Sequence, residues 1–226
     1  MKLLSCLLHR DLSHPNHKTN LHLHYHVHYP DKQASFFASE PSVVAFRPKN
    51  PAIHPPLAIK AALEKKLRWT TLGGQYDWTN KVYPAEEPPK FPSDITELLQ
   101  DLFPDMEPEA AIVNLYSPGD TLSLHRDVSE DVDQGLVSVS LGCDAIFIIG
   151  LQDKATGKIS RDVLRLRSGD AVYMSGASRF AWHGVPKIIP GTCPEYLADW
   201  PGNDFPEWKD WMSNKRINLN VRQMRG

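Results

Sequence analysis

The sequence contains few cysteines and little net charge, and both facts exclude certain classes of protein. Its 226 residues include three cysteines, at positions 6, 143 and 193. Because they are odd in number and far apart, they exclude a zinc site of the Cys-x-x-Cys type and suit a reducing compartment. The net charge of −2 provides no overall attraction to nucleic acid, so a basic surface for it would have to be local.

Long apolar runs and internal repeats are also absent. No stretch approaches the roughly 20 apolar residues that a membrane span requires. The opening residues MKLLSCLLHR lack the cleavage pattern of a signal peptide. We therefore expect an intracellular protein, in the nucleus, the cytoplasm or the mitochondrion, that does not bind membranes. We also expect a monomer.

Proline is plentiful, and the apolar pattern changes along the chain. The 19 prolines favour many loops over a helical bundle. Helical spacing predicts one helix from about Leu57 to residue 69, and Ser93 as its cap predicts a second over 93–103. From residue 110 onward the pattern becomes short strands separated by turns, which predicts a mainly β jelly-roll or barrel with flanking helices. The eight strands are AAIVNLY, TLSLHRD, LVSVSLG, AIFIIG, VLRLR, AVYMS, FAWHGV and RINLNVR.

Histidines alternate in the segment LHLHYHVHYP (21–30). In a strand over 21–29 they would share one face. Apolar residues alternate with them, so the simpler interpretation is the exposed side of an edge strand. Adventitious metal binding and nucleic-acid contact are the alternatives. The four histidines are His22, His24, His26 and His28.

The last two histidines of the chain, His125 and His183, each fall within a predicted core strand. Asp127 follows His125 at i+2, so extended geometry places both side chains on one side. Two imidazoles and one carboxylate form the facial triad of non-haem iron oxygenases, which leaves positions open for co-substrate and dioxygen. Taken alone, this spacing also arises by chance.

The final strand, RINLNVR (216–222), alternates polar and apolar residues. Its polar face carries two guanidiniums and two amides, which are costly to bury without a ligand. Because a guanidinium binds a carboxylate through two parallel hydrogen bonds, a dicarboxylic acid is the natural ligand. The strand AAIVNLY (110–116) has a similar polar face. The alternative for either strand is an edge strand with a solvated side.

Together these motifs resemble the AlkB family of Fe(II)- and 2-oxoglutarate-dependent dioxygenases, and most closely the branch of the first animal AlkB homologue. The resemblance covers about residues 55–226 and implies a double-stranded β-helix, or jelly-roll, core. It implies one domain, in which helices and a nucleotide-recognition segment (55–109) precede that core (110–226). Residues 1–54, rich in His, Pro and Asn, are expected to be an irregular segment packed on or flanking the core. The matching segments are RWTTLGGQYDW (68–78), NLYSPGDTLSLHRD (114–127), SRFAWHG (178–184) and RINLNVR (216–222).

The resemblance also implies roles for individual residues, with no catalytic group beyond the iron ligands. The iron ligands would be His125, Asp127 and His183. The 2-oxoglutarate contacts would be Asn114, Tyr116, Arg216, Asn218 and Arg222. The substrate contacts would be Trp69, Tyr76, Ser129 and Glu130.

The implied reaction is oxidative demethylation of N-methylated bases in DNA or RNA. It uses Fe(II), 2-oxoglutarate and dioxygen and releases formaldehyde, succinate and carbon dioxide. A base in a duplex must first be extruded to reach the iron. Two alternatives stay open: the same chemistry on a protein or small molecule, and a non-catalytic jelly-roll that binds a partner. The intact triad and Arg216 count against the last.

Overall fold

The computed structural model describes residues 1–31, 34–84, 86–153 and 156–225, which form short helices and three antiparallel sheets. The strands are β1 (Tyr25–Val27), β2 (Val44–Pro48), β3 (Leu57–Ala58), β4 (Trp69–Gly73), β5 (Ala110–Tyr116), β6 (Leu122–His125), β7 (Leu136–Gly142), β8 (Ala145–Gln152), β9 (Ile159–Leu166), β10 (Ala171–Met174), β11 (Trp182–Ile188) and β12 (Arg216–Arg222). The α-helices are α1 (Lys2–Ser5), α2 (Ile59–Ala61), α3 (Ser93–Leu102) and α4 (Glu195–Ala198). The 3₁₀- and π-helical segments are Cys6–Asp11, Asn20–Leu23, Phe36–Ala38, Ala62–Lys66, Gly176–Ser178 and Pro206–Trp208.

Two of the sheets enclose a common apolar cluster. The five-stranded sheet has the order β10-β7-β12-β5-β4, and the four-stranded sheet has the order β6-β11-β8-β9. Leu136 and Met174 of the first sheet pack with Phe147 and Val185 of the second. The fold is therefore the predicted jelly-roll, and all eight strands expected after residue 110 are present.

Strand β12 lies at the centre of the five-stranded sheet and shows why the alternating sequence folds as it does. It pairs with β5 on one side and with β7 on the other along its full length. Ile217, Leu219 and Val221 are fully buried in the main core. Because side chains alternate between faces, this burial turns the polar residues of β12 toward the space between the sheets.

The predicted helices are partly confirmed. Helix α3 is present at Ser93–Leu102, but Pro92 precedes it as the cap and Ser93 is its first residue. The helix expected from Leu57 is wrong at its start, because Leu57 and Ala58 pair with β2 as strand β3. Only Ile59–Ala61 and the π-helical segment Ala62–Lys66 follow the helical pattern. Among the described residues, no helix is long and apolar enough to cross a membrane.

Several leucines near the start of the chain lie in the core. Leu4, Leu7, Leu8 and Leu12 are at most 1% exposed and lie in the same cluster as the apolar face of β12. Further along, the backbone of Thr71 in β4 donates a hydrogen bond to the carbonyl of residue 18 (2.8 Å). The segment therefore covers the outer edge of the five-stranded sheet.

The predicted strand over 21–29 is wrong for its first half, and the histidine row does not form. The segment Asn20–Leu23 is a 3₁₀-helix, and only Tyr25–Val27 is extended. The Nδ1 atom of His22 accepts a hydrogen bond from the backbone N–H of Thr19 (2.9 Å), which caps the 3₁₀-helix and rotates His22 off the strand face. Strand β1 is an edge strand, as predicted, with His26 exposed on it.

Candidate metal and co-substrate site

Two adjacent strands bring the predicted triad together. His125 ends β6 and is the Cα partner of His183 in β11, and Asp127 follows two residues after β6. The Nε2 atoms of His125 and His183 lie 3.7 Å and 3.8 Å from the two carboxylate oxygens of Asp127. In the described part of the chain, this is the one group of three or more His, Cys, Asp or Glu residues whose ligand atoms lie close enough to hold a metal ion.

Backbone carbonyls fix the orientation of both imidazoles. The Nδ1 atom of His125 lies 2.9 Å from the carbonyl of Ser123, and that of His183 lies 3.0 Å from the carbonyl of Ala181. A carbonyl only accepts, so each Nδ1 carries the proton and each Nε2 presents its lone pair to the centre of the triad. Burial lowers the pKa of His183, which favours the neutral ring that binds metal. The three side chains therefore fit a divalent iron ion.

Asp127 is held ionised in this buried setting. Burial opposes its charge, but Arg222, His183 and His125 outweigh burial and keep the pKa of Asp127 below its usual value. The Nη2 atom of Arg222 donates to Asp127 Oδ2 (3.4 Å). An ionised carboxylate is the form that a metal requires.

Arg216 is a buried cation whose hydrogen-bonding capacity is largely unused. Its side chain is 1% exposed, and one nitrogen, Nη2, donates to the hydroxyl of Ser140 (3.0 Å). Its Nε and Nη1 atoms have no partner among the described residues. The guanidinium lies over the ring of Tyr116, with 5.4 Å from Cζ to the ring centroid, and burial raises the pKa of Tyr116 to about 12. Unpartnered buried donors on a cation fit a carboxylate ligand.

The amides predicted to contact 2-oxoglutarate line the same cavity as Arg216 and the triad. Asn114 and Asn218 are Cα partners on β5 and β12. The Nδ2 atom of Asn218 donates to the hydroxyl of Ser138 (2.8 Å) and to the carbonyl of Val139 (3.1 Å). Asn220 also lines the cavity, and its buried Oδ1 atom has no partner among the described residues. The site prediction omitted Asn220, although its position on the polar face of β12 was a signal for it.

Two arginines and a glutamate form a buried ion-pair network behind the triad. The carboxylate of Glu130 is 0% exposed and accepts from Arg179 (2.8 Å) and from Arg222 (2.9 Å). Arg179 also donates to the backbone carbonyls of Gln134 (2.6 Å) and Asp127 (2.9 Å). Glu130, a predicted substrate contact, does not line the cavity, and both of its carboxylate oxygens bind arginine. Arg222, which was predicted to contact 2-oxoglutarate, forms ion pairs with the carboxylates of Asp127 and Glu130.

Sequence reasoning missed the role of Arg179. The residue lies in the motif SRFAWHG and is 1% exposed. Its partners lie about 50 residues earlier in the chain, so no local pattern marks them. The one indication of its role in the sequence was its position within the motif SRFAWHG.

Aromatic residues form the remaining wall of the cavity, which has a volume of about 480 Å³. Tyr76, Trp78 and Ser129 line it, and the hydroxyls of Tyr76 and Ser129 lie 3.1 Å apart. Trp69 does not line the cavity. It packs against Trp78, with ring centroids 5.1 Å apart. Two of the predicted substrate contacts, Tyr76 and Ser129, therefore face the cavity, and Trp78 joins them.

Comparisons with known proteins agree with this geometry. The model of the 2OG-Fe(II) oxygenase superfamily matches residues 22–222. The N6-methyladenosine RNA demethylase ALKB1 of Pyricularia oryzae is 55% identical over 99% of this chain and 70% of its own length. The N6-methyladenosine RNA demethylase ALKBH of Cryphonectria parasitica is 55% identical over 91% of this chain and 99% of its own length. The solved structure of OsALKBH1 is 25% identical, covers 70% of this chain and 78% of its own, and superposes with a TM-score of 0.54.

Proposed function

The chain belongs to the 2OG-Fe(II) oxygenase superfamily and, within it, to the AlkB family, and from this premise we propose that it oxidatively demethylates bases in nucleic acid. The observation that carries the proposal is the shared cavity. The His125–Asp127–His183 triad and the guanidinium of Arg216 line one space, in which two nitrogens of Arg216 have no partner among the described residues, and the rings of Tyr76 and Trp78 line it too. A binding module has no need of this combination.

The chain's own residues would hold the metal and the co-substrate. His125, Asp127 and His183 would supply three ligands and leave positions for the co-substrate and dioxygen. When bound, Fe(II) would couple two oxidations by dioxygen, the decarboxylation of 2-oxoglutarate and the hydroxylation of a methyl group. Arg216 would bind the far carboxylate of 2-oxoglutarate through Nε and Nη1, which have no other partner in the described chain. Tyr116 supports the guanidinium from below.

The aromatic wall would receive the methylated base. Tyr76 and Trp78 meet edge to face, with ring centroids 4.9 Å apart, and both line the cavity. A base that is unpaired or extruded stacks on aromatic rings, which holds its methyl group near the metal. The hydroxylated methyl group then leaves as formaldehyde and returns the unmodified base.

The preferred substrate within this proposal is RNA that contains N6-methyladenosine. The support is the identity of 55% to two fungal proteins of that name over nearly the whole chain. DNA with the same modification presents the same base edge, so an experiment has to decide between RNA and DNA as the substrate.

A panel of methylated oligonucleotides tests the proposal. Single- and double-stranded RNA and DNA with N6-methyladenine are incubated with the protein, Fe(II), ascorbate and 2-oxoglutarate, and the bases are analysed by mass spectrometry. We expect loss of the methyl group, with equal amounts of succinate and formaldehyde, and the fastest turnover on single-stranded RNA. Succinate formation that no oligonucleotide stimulates would overturn the nucleic-acid assignment.

A further inference from the structure

The outer face of the four-stranded sheet is an uncovered surface beside the cavity. His183 of β11 and Phe147 of β8 line the cavity. Because side chains alternate, the neighbouring positions on these strands point away from it. We call these outward positions of β8, β9 and β11 the outer face.

A row of residues crosses the outer face at the level of the triad. Trp182, the residue before His183, is the Cα partner of Gly150 in β8, and Gly150 is the partner of Arg161 in β9. Gly150 has no side chain, so a shallow gap separates the indole of Trp182 from Arg161. Trp182 is 49% exposed, and the guanidinium of Arg126 lies 5.2 Å from its ring centroid. The row therefore consists of a large exposed aromatic ring between two arginines.

The charge of this surface is positive. None of the outward positions of β8, β9 and β11 carries a carboxylate. Within the described parts of the chain, the side chains of Arg126 and Arg161 form neither an ion pair nor a hydrogen bond, whereas that of Arg165 is paired with Asp144 at 2.8 Å. Lys187, also exposed, adds a further cation at the other end of the outer face.

Arg126 connects this row to the cavity. It lies between the metal ligands His125 and Asp127 in the sequence, lines the cavity, and also contacts the ring of Trp182. A nucleic-acid strand with one base in the cavity would therefore pass Arg126 at the cavity and then reach the exposed indole of Trp182. Alternation of cations with an aromatic stacking surface is the pattern that binds single-stranded nucleic acid without reading its sequence.

We propose that the row Arg126–Trp182–Arg161 binds the single-stranded segment that adjoins the methylated base. One flanking base stacks on Trp182, and the phosphates on either side of it bind Arg126 and Arg161. This inference rests on the proposed function, whose substrate it specifies as a strand that is unpaired beyond the target base. The net charge of the chain gives no general attraction to nucleic acid, so affinity for the flanking strand has to come from a local surface of this kind.

The test compares two RNA oligonucleotides with the same central N6-methyladenosine, a trinucleotide and one of about 12 nucleotides. Fluorescence anisotropy gives the affinity of each, and the ratio of the two affinities measures the contribution of the flanking strand. We expect Trp182→Ala to lower this ratio by about 5- to 150-fold, the value of one stacked base. We expect Arg161→Ala to lower it as well, and to reduce the slope of log affinity against log salt concentration by about 0.7.

Matched controls remove an exposed arginine and an exposed aromatic ring from other elements. Arg47→Ala changes β2, and Tyr196→Ala changes α4, and both should leave the ratio unchanged. Arg161 is exposed on β9, so its removal tests the surface even if Trp182→Ala proves unstable. An unaltered ratio in a folded Arg161→Ala protein would overturn the inference.

Two further outcomes are distinguishable. If the parent protein demethylates neither oligonucleotide, the proposed function fails, and the binding ratio measured with unmethylated oligonucleotides still decides whether the surface binds a strand. If light scattering shows a dimer that Trp182→Ala dissociates, a second copy of the chain occupies the outer face and the inference is overturned.

Discussion

Arg216 faces no carboxylate among the described residues, although its side chain is 1% exposed. Removing a charged group from water costs several kcal/mol unless a partner compensates it. The contact with the ring of Tyr116 and one hydrogen bond to Ser140 compensate only part of that cost. At the scale of the single residue, the cavity is therefore built for an anionic ligand.

We expect Arg216→Lys to weaken 2-oxoglutarate binding by about 1–3 kcal/mol, the range for a charge-assisted hydrogen bond. Lysine keeps the charge but loses the planar pair of donors. Isothermal titration of the iron-loaded protein under nitrogen measures the affinity. The control is Arg165→Lys, which changes an exposed arginine paired with Asp144. Equal affinity in the parent and Arg216→Lys would contradict the assignment.

A second prediction separates the triad from the N-terminal histidines. We expect His125→Ala to abolish stoichiometric iron binding and 2-oxoglutarate-dependent succinate release, because two ligands remain. His26→Ala removes an exposed histidine from β1 and should leave both unchanged. Metal analysis and a succinate assay provide the measurements. Loss of iron from the His26→Ala protein would mean that the metal binds elsewhere.

At the scale of elements, the segment between β6 and β7 shows how a loop is made rigid without regular structure. Arg179 donates to the backbone carbonyls of Asp127 and Gln134 and to the carboxylate of Glu130. These bonds fix both ends of the segment that carries Asp127, a residue of the candidate metal site. The loop is thus positioned by a side chain from the turn before β11.

We expect Arg179→Ala to lower the free energy of unfolding by about 3–5 kcal/mol, because it leaves the buried carboxylate of Glu130 with one partner fewer. Urea denaturation of the metal-free protein measures the change. Arg161→Ala, an exposed arginine without such partners, should change it by less than about 0.5 kcal/mol. A similar small change for Arg179→Ala would show that the network does not hold the loop.

The features that the sequence predicts depend on residues close together in the chain, whereas the features that it does not predict depend on partners far apart in the chain. The strands after residue 110 and the placement of His125 beside Asp127 follow from alternation within a few residues, which the sequence displays. Leu57 becomes a strand residue because it pairs with Phe46. Glu130 lies outside the cavity lining, where it binds Arg179, 49 residues away. Such long-range partners have no local signature.

On the scale of the whole molecule, the N-terminal segment buries His17 and half-buries His9 and His22. Burial lowers the pKa of His9, His17 and His22. Their folded-state pKa values therefore lie below the unfolded value of about 6.5. Between these values the unfolded chain binds more protons than the folded one, so acid favours unfolding.

We expect the free energy of unfolding to fall as the pH drops below about 6.5, by up to about 1.4 kcal/mol per pH unit for each of these histidines. Urea denaturation with a chelator present, between about pH 5.5 and 7.5, measures the slope. His17→Gln should make the dependence shallower, whereas His26→Gln, at an exposed position, should not. An identical slope for the His17→Gln protein and its parent would contradict this account.

The pairing of residues 18 and 19 with β4 has a consequence for how copies of this protein behave at high concentration. Strand β4 is the last strand of the five-stranded sheet, and Thr19 bridges to Thr70 on its open side. An uncovered sheet edge is a template for strands of other molecules. A chain shortened to start at residue 22 loses this cover and also Leu4, Leu7, Leu8 and Leu12 of the core, so we expect it to aggregate, which light scattering would detect as growing particles. The N-terminal segment thus opposes aggregation, because it covers a strand edge with which strands of other molecules would otherwise pair.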